Sequence, residues 1–225
     1  MTANFSDADR GRPLATYRPM AAVGCAILAV AIWLVPGAAE WLQFDRGAIA
    51  AGEIWRIVSG HLTHWNGDHL LWDVLMFAVL GALVERTSRA SFLATTVLSA
   101  LAISAALWFL QPAQVLYRGL SGIDSALFVF QAIWLAREAL SEKRFAASVL
   151  PMVALAGFVG KVGYEYASGC TLFVDSAAAG FAPLPLAHVI GGLVGAAVLA
   201  AREAATCLTR VDEGPWRQWS ARLSR

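Results

Sequence analysis

The chain has 225 residues, of which 58% are hydrophobic, and its formal net charge at pH 7 is +1. The apolar share exceeds that of an ordinary globular domain and is concentrated in blocks, which indicates a polytopic membrane protein. A nearly neutral chain lacks a strongly basic surface, which argues against nucleic acid as a partner.

Six apolar blocks predict six membrane helices. They occupy residues 20–35, 70–84, 91–110, 120–136, 145–160 and 183–201. A full crossing takes about 20 residues, so flanking residues or local thinning of the bilayer must accommodate the shorter blocks. We expect an all-α, six-helix membrane domain at residues 19–202, between an N-terminal tail at 1–18 and a C-terminal tail at 203–225.

The basic residues predict the orientation of these helices. With six crossings, one side of the membrane holds both tails and 13 of the 17 Lys and Arg residues, and the other side holds 4. Segments rich in Lys and Arg stay in the cytoplasm. We therefore expect both termini to be cytoplasmic in the cell (inner) membrane. The fourth and sixth helices then begin at the outer, periplasmic face, where water can enter.

The loop at residues 36–68 is long and aromatic. It includes Trp41, Trp55 and Trp65, and tryptophan favours the headgroup level of a bilayer. We expect this loop to lie in the membrane interface.

Three histidines, His61, His64 and His69, crowd the end of this loop near Asp68 and Asp73. Imidazole and carboxylate groups are zinc ligands, but the His-Glu-x-x-His spacing of a helical zinc site is absent. We expect no metal site and no cofactor. Instead of a functional role, His64 could simply be a histidine that is hydrogen-bonded within the loop.

A serine bracketed by Gly119 and Gly122 begins the fourth apolar block. The N-terminus of a helix offers free backbone N–H groups and a positive dipole end, so an oxyanion formed beside Ser121 would be stabilised there. The glycines allow close approach of a substrate or a neighbouring helix. Taken alone, this motif is also typical of simple helix packing.

A histidine in the last apolar block is the possible partner of this serine. An ionisable residue such as His188 is costly inside a membrane span and indicates a function. Gly191 and Gly195 follow it and form a small ridge, which matches the ridge of Gly122 and Ala126 in the serine helix. Facing ridges would bring the serine hydroxyl within reach of the imidazole, as a nucleophile and its general base.

Together these residues resemble the intramembrane serine proteases of the rhomboid family, over roughly residues 17–202. Three motifs occur in the family's order: Glu53-Ile54-Trp55-Arg56 with His64 and His69 downstream, Gly119-Leu120-Ser121-Gly122, and His188 with Gly191 and Gly195. The resemblance implies that Ser121 and His188 form the catalytic dyad. It implies oxyanion or substrate binding by His69, Asp73, Gly119 and Gly122. It implies structural roles near the site for His64, Trp55, Arg56, Gly191 and Gly195.

The Lys161-x-x-x-Glu165 motif resembles one in the rhombosortase branch of the family. The substrates of that branch are C-terminal sorting anchors of the Gly-Gly type. The i, i+4 spacing of Lys161 and Glu165 also suits a simple ion pair. In the family, the fifth helix and its loop form the gate for a substrate helix, and that loop corresponds here to residues 163–182.

Three positions depart from the family pattern. Asp73 stands where the family has an asparagine, and Ser125 stands where it has an aromatic ring or, in the rhombosortase branch, a histidine. Asp124 adds an acid one turn after the serine. Because a carboxylate has no donor, we expect a protonated Asp73 to donate to the oxyanion. An ionised Asp73 would instead orient His69.

The expected function is cleavage of a single-span membrane protein near the outer membrane face, with that protein and the lipid bilayer as partners. The alternative is a catalytically inactive rhomboid-like protein that binds membrane helices, which Asp73 and Ser125 favour. A transporter would use Asp73, Asp124 and His188 as a proton path. The chain lacks the inverted repeats typical of that class.

Overall fold

In the part of the chain that the structure describes, six helices follow the six apolar blocks. The computed structural model describes residues 18–172 and 184–212, with side chains described as far as 208. The helices are α1 (Met20–Leu34), α2 (Gly67–Thr87), α3 (Arg89–Leu110), α4 (Ser121–Ser141), α5 (Phe145–Ser168) and α6 (Pro185–Asp212). Helices α2, α3, α5 and α6 are long and apolar enough to cross a membrane, and α1 is a shorter apolar helix. A helical multi-pass membrane protein is thereby confirmed, whereas the count of six crossings stays a prediction.

Helix α2 extends beyond its apolar block because a charged residue near its end has buried partners. Glu85 accepts hydrogen bonds from the backbone N–H groups of Ala21 at 3.2 Å and Ala22 at 2.8 Å. The first N–H groups of a helix have no partner within it, so this carboxylate on α2 caps α1. Hydropathy places the end of the block at residue 84, but the helix continues to Thr87.

Helix α5 also runs further than predicted. The prediction of a loop that begins at residue 163 is wrong, because the helix continues to Ser168. Lys161 Nζ donates to Glu165 Oε1 at 2.7 Å, which stabilises the last turns. The helix ends at Gly169 with φ +68°, a left-handed conformation that glycine adopts without strain. The rest of the predicted loop, at residues 173–183, and the tails at 1–17 and 213–225 lie outside the described residues.

The loop between α1 and α2 folds into short helical turns. They are Ala38–Leu42, Arg46–Ala50, Arg56–Ser59 and the 3₁₀ turn Gly60–Leu62. A two-residue strand, Phe44–Asp45 (β1), pairs antiparallel with Leu116–Tyr117 (β2), with Phe44 opposite Tyr117. Two residues are too few to show the alternation that predicts a strand. This pairing joins the loop to the segment that leads into α4.

Arg56 and Trp55 have distinct roles in this loop. The guanidinium of Arg56 is buried and donates from Nη1 to the backbone carbonyls of Glu40 at 2.9 Å and Gln43 at 3.1 Å. Trp55 is 43% exposed, and its ring lies 5.6 Å from that of Trp41. The arginine therefore holds the loop together, and the tryptophan pair is placed as an interface anchor would be.

His61, to which the family resemblance gives no role, joins the same loop to α3. Its Nε2 lies 3.0 Å from the carbonyl oxygen of Ala100 and 3.1 Å from Ser104 Oγ. Burial lowers the pKa of the His61 imidazole to about 4. The ring is therefore neutral at physiological pH and serves as a buried hydrogen-bonding group.

Helix α4 lies at the centre of the bundle and α5 at its outside. Helix α4 packs against α2, α3, α5 and α6, and 12 of its 21 residues are buried. Of the 24 residues of α5, only Ser148, Pro151 and Glu165 are buried. Apolar side chains such as Leu150 and Val159 face outward, as expected for a helix with a lipid-facing surface.

Candidate active site

Ser121 is the first residue of α4, and His188 lies in the first turn of α6. Both helices begin at the same end of the bundle, which brings the two side chains together. His188 Nε2 lies 3.3 Å from Ser121 Oγ, a distance typical of a nucleophile and its base before substrate binds. The structure thus joins the two residues that the sequence pairs.

Glycines allow the close contact of α4 and α6 that sets this distance. A Cβ atom at Gly191 would overlap the carbonyl oxygen of Gly122, and one at Gly195 would overlap the carbonyl oxygen of Ala126. A Cβ atom at Gly122 would lie 2.6 Å from Ile103 Cδ1. No larger residue fits at Gly191 or Gly195 without moving a helix, because the overlapping atoms belong to the backbone of α4. The predicted contact between small ridges is therefore present.

Gly119 shapes the turn that leads into α4. Its φ of +127° is rarely adopted by other residues, and a Cβ atom there would lie 2.8 Å from His69 Nε2. Its carbonyl oxygen accepts a hydrogen bond from the Tyr117 hydroxyl at 3.1 Å. Burial raises the pKa of Tyr117, and the nearby carboxyls of Asp73 and Asp124 raise it further. The hydroxyl therefore stays protonated and keeps this bond.

Asp73 caps the serine helix. Its Oδ2 accepts hydrogen bonds from the backbone N–H groups of Leu120 at 2.8 Å and Ser121 at 3.2 Å. The same oxygen lies 3.3 Å from His64 Nε2 and 3.2 Å from His69 Nε2. Asp73 is thus an acceptor here, whereas the sequence led us to expect a donor. It also engages the Ser121 N–H, the backbone donor nearest to the nucleophile.

A contact at Nδ1 favours one tautomer of the His69 ring. Asn66 Oδ1 accepts from the His69 backbone N–H at 2.8 Å, and the His69 ring accepts at Nδ1 from the Trp65 N–H at 3.5 Å. The ring proton of a neutral His69 then lies on Nε2, which faces Asp73. The buried ring of His64 packs edge-on against that of His69, with centroids 5.2 Å apart.

Glu165 contacts His188, which the sequence did not reveal. Its Oε2 lies 2.9 Å from His188 Nδ1, while its Oε1 accepts from Lys161 Nζ. Lys161 Nζ also lies 3.4 Å from His188 Nδ1. The i, i+4 spacing identified the lysine–glutamate pair, but 23 residues separate Glu165 from His188. The available signal was an acidic residue at the end of an apolar helix that finishes where α6 begins.

The two other departures from the family pattern lie along α4. Ser125 Oγ donates to the Ser121 carbonyl oxygen at 2.8 Å, so its side chain is satisfied within the helix. Asp124 is buried, and among the described residues its Oδ1 has no hydrogen-bond partner.

A cavity of about 750 Å³ opens beside Ser121 and His188. Residues of α2, α4, α5 and the start of α6 line it, and its apolar wall includes Trp72, Met76 and Phe158. Its size and apolar lining suit a segment of an apolar chain. Within residues 18–172 and 184–208, no group of three His, Cys, Asp or Glu side chains could hold a metal ion.

Comparison with protein families gives a match over the membrane region. The family described as Rhomboid domain matches residues 51–202, more than half of the chain. That range includes both Ser121 and His188. No curated protein matches the chain.

Proposed function

The chain belongs to the rhomboid family, and from this premise we propose that it is an intramembrane serine endopeptidase. Ser121 is the nucleophile and His188 the general base. The observation that carries the proposal is the 3.3 Å distance between Ser121 Oγ and His188 Nε2 at the edge of an apolar cavity. The rhomboid family includes intramembrane serine proteases, which supports the same reaction.

The proposed reaction is acyl transfer to the serine followed by hydrolysis. Ser121 Oγ attacks the substrate carbonyl carbon while His188 Nε2 takes the hydroxyl proton. The tetrahedral intermediate collapses, and the protonated His188 gives its proton to the leaving amine. Water then attacks the ester, with His188 again as the base, and the free serine is regenerated.

The donors for the oxyanion lie at the starts of α2 and α4. We assign them to the Ser121 N–H and to His69 Nε2, with Gly119 and Gly122 leaving room for the substrate backbone. Both donors face Asp73 Oδ2, at 3.2 Å each. In this proposal the oxyanion takes these donors over from Asp73 as it forms.

The substrate is a single-span membrane protein. The cavity lies between α2 and α5, and its apolar side chains suit a segment of a membrane helix. A helix hides its carbonyl groups in hydrogen bonds, so the substrate must unwind near the site, and small or helix-breaking residues are expected there. The resemblance of Lys161 and Glu165 to the rhombosortase branch leads us to propose C-terminal Gly-Gly sorting anchors as its substrates.

Labelling with a fluorophosphonate probe tests the serine. Purified full-length protein should be labelled, and Ser121→Ala should lose both labelling and cleavage of a membrane-anchored model substrate, by roughly 10⁴-fold or more. His188→Ala should behave similarly. Equal expression and melting temperature of the variants serve as the control. Wild-type cleavage by Ser121→Ala would end the serine protease proposal.

One observation favours a second candidate, an inactive protein that binds membrane helices. The Ser121 N–H is engaged by Asp73, so a donor that the oxyanion needs is occupied. An inactive protein would bind a substrate helix without cleaving it, and its serine would resist the probe. The same labelling experiment therefore separates the two candidates.

We propose that the active site opens to the periplasmic side of the cell membrane, with both termini in the cytoplasm. The basis is the excess of Lys and Arg in the tails and in the loops on their side. A reporter active only in the periplasm should be silent when fused after Arg225 and active when placed near Cys170. The reverse result would contradict the proposed orientation of the site.

A further inference from the structure

The outermost long helix, α5, buries one acidic residue against the candidate base. The side chain of Glu165 is 1% exposed, although its helix is otherwise buried only at Ser148 and Pro151. A buried carboxylate is costly unless it is paired and hydrogen-bonded. An ion pair with Lys161 alone would form equally well on the surface of α5, so the inward position of Glu165 calls for a further partner.

That partner is His188. Each carboxylate oxygen of Glu165 has one donor, Lys161 Nζ at Oε1 (2.7 Å) and His188 Nδ1 at Oε2 (2.9 Å). With its proton on Nδ1, a neutral His188 has its lone pair on Nε2, the nitrogen that faces Ser121 Oγ. The contacts therefore form a continuous series from the serine through the imidazole to the carboxylate.

We propose that Glu165 is a positioning residue for His188, so that this chain uses a Ser-His-Glu arrangement in place of a bare dyad. The inference rests on the proposed function. Glu165 holds the imidazole in the tautomer that can accept the Ser121 proton, and it stabilises the imidazolium that results. No proton moves to Glu165. The proton passes from Ser121 to His188 and then to the leaving amine.

Lys161 completes this arrangement by occupying the other carboxylate oxygen. Its ammonium directs Oε2 toward the imidazole and offsets the charge of the buried carboxylate. Lys161 cannot itself do the work of Glu165, because an ammonium offers donors only and opposes the imidazolium charge. The carboxylate is thus the group that supports the base.

The test compares three substitutions of Glu165 in full-length protein. The measurement is the rate of fluorophosphonate labelling, normalised to folded protein. Removing the carboxylate of a catalytic triad lowers the rate by up to about 10⁴-fold. We expect Glu165→Gln and Glu165→Ala to be labelled at least about 100-fold more slowly than wild type. Glu165→Asp should retain more activity than either.

Chemical rescue distinguishes positioning from general support of the fold. Glu165 lines the cavity, so formate can reach the space that Glu165→Ala leaves. Formate should accelerate labelling of Glu165→Ala by tenfold or more and leave wild type unchanged. A purely structural role would give a slow or unstable variant that formate does not rescue.

Glu85→Gln is the matched control, because Glu85 is also a buried glutamate but lies far along α2 from Ser121. Its labelling rate per folded molecule should equal that of wild type. Wild-type labelling of folded Glu165→Gln, or a slow Glu165→Ala without rescue, overturns the proposal. If Glu165→Ala does not fold, the rate of Glu165→Gln alone decides. If Ser121→Ala is labelled at the wild-type rate, the proposed function is overturned instead.

Discussion

Helix α2 carries two buried carboxylates that cap two neighbouring helices. Asp73 accepts hydrogen bonds from the first N–H groups at the start of α4. Glu85, about 18 Å further along the helix axis, accepts from the first N–H groups of α1. Each carboxylate satisfies donors that would otherwise be buried without a partner.

The surroundings of the two caps differ. Two histidine rings lie within 3.3 Å of Asp73 Oδ2, and one of its donors is the backbone N–H of Ser121, the proposed nucleophile. Glu85 faces the backbone of two alanines, and the guanidinium of Arg89 lies 3.9 Å away. The same capping contact is therefore structural at α1, whereas at α4 it also engages the Ser121 N–H that we propose as an oxyanion donor. The predictions below test this difference, starting with the largest expected effect.

Gly191→Val should slow fluorophosphonate labelling of Ser121, at the start of α4, by at least about 100-fold. The valine side chain would overlap the Gly122 carbonyl oxygen, so α6 must move and His188 must leave Ser121. The matched control is Gly24→Val in α1, where a Cβ atom has nothing within 4 Å. Labelling rate and membrane insertion are measured for both. Full activity in Gly191→Val would mean that other contacts bring the two residues together.

Asp73→Ala and Glu85→Ala should both lower stability but differ in activity. Each leaves two buried N–H groups without an acceptor, which costs about 1 to 3 kcal/mol per group in comparable cases. Both should therefore melt at lower temperature in detergent. Only Asp73→Ala should slow labelling per folded molecule, because only its cap includes Ser121. An equal loss of labelling rate in Glu85→Ala would remove the distinction between the caps of α4 and α1.

Asp73→Asn should keep or raise the labelling rate. The amide oxygen still accepts from the backbone of α4, and the amide N–H adds a donor for the oxyanion. Glu85→Gln should likewise keep its cap and leave the rate unchanged. An inactive Asp73→Asn would show that the carboxylate itself is required, most simply to orient His69.

Arg89→Ala should have the smallest effect. It should lower the free energy of unfolding by less than about 1 kcal/mol. The guanidinium is 60% exposed and lies 3.9 Å from Glu85, and exposed ion pairs contribute little. Thermal unfolding should therefore resemble that of wild type. A loss as large as that of Glu85→Ala would assign the role of Glu85 to the ion pair and not to the cap of α1.

The candidate dyad could be predicted from the sequence because the motifs around its two residues are local. Ser121 lies between two glycines at the start of an apolar block, and His188 precedes the small ridge of Gly191 and Gly195. Their contact follows from small residues that allow close helix approach. Helix ends were less well predicted, since hydropathy ends a block at its first charge even when that charge is buried, as for Glu85.

Hydropathy by itself determined the membrane class and indicated the six helices, because the lipid constrains each segment separately. The small residues beside Ser121 and His188 predicted their pairing, because such residues allow close approach of two helices. Only the tertiary structure decided which carboxylates contact the start of α4 and His188. Asp73 lies 47 residues before the Leu120 N–H that it caps, and Glu165 lies 23 residues before His188. Neither carboxylate belongs to a sequence motif that points to its partner, unlike the matching small ridges of α4 and α6. The packing of α2 and α5 around α4 and α6 makes these contacts.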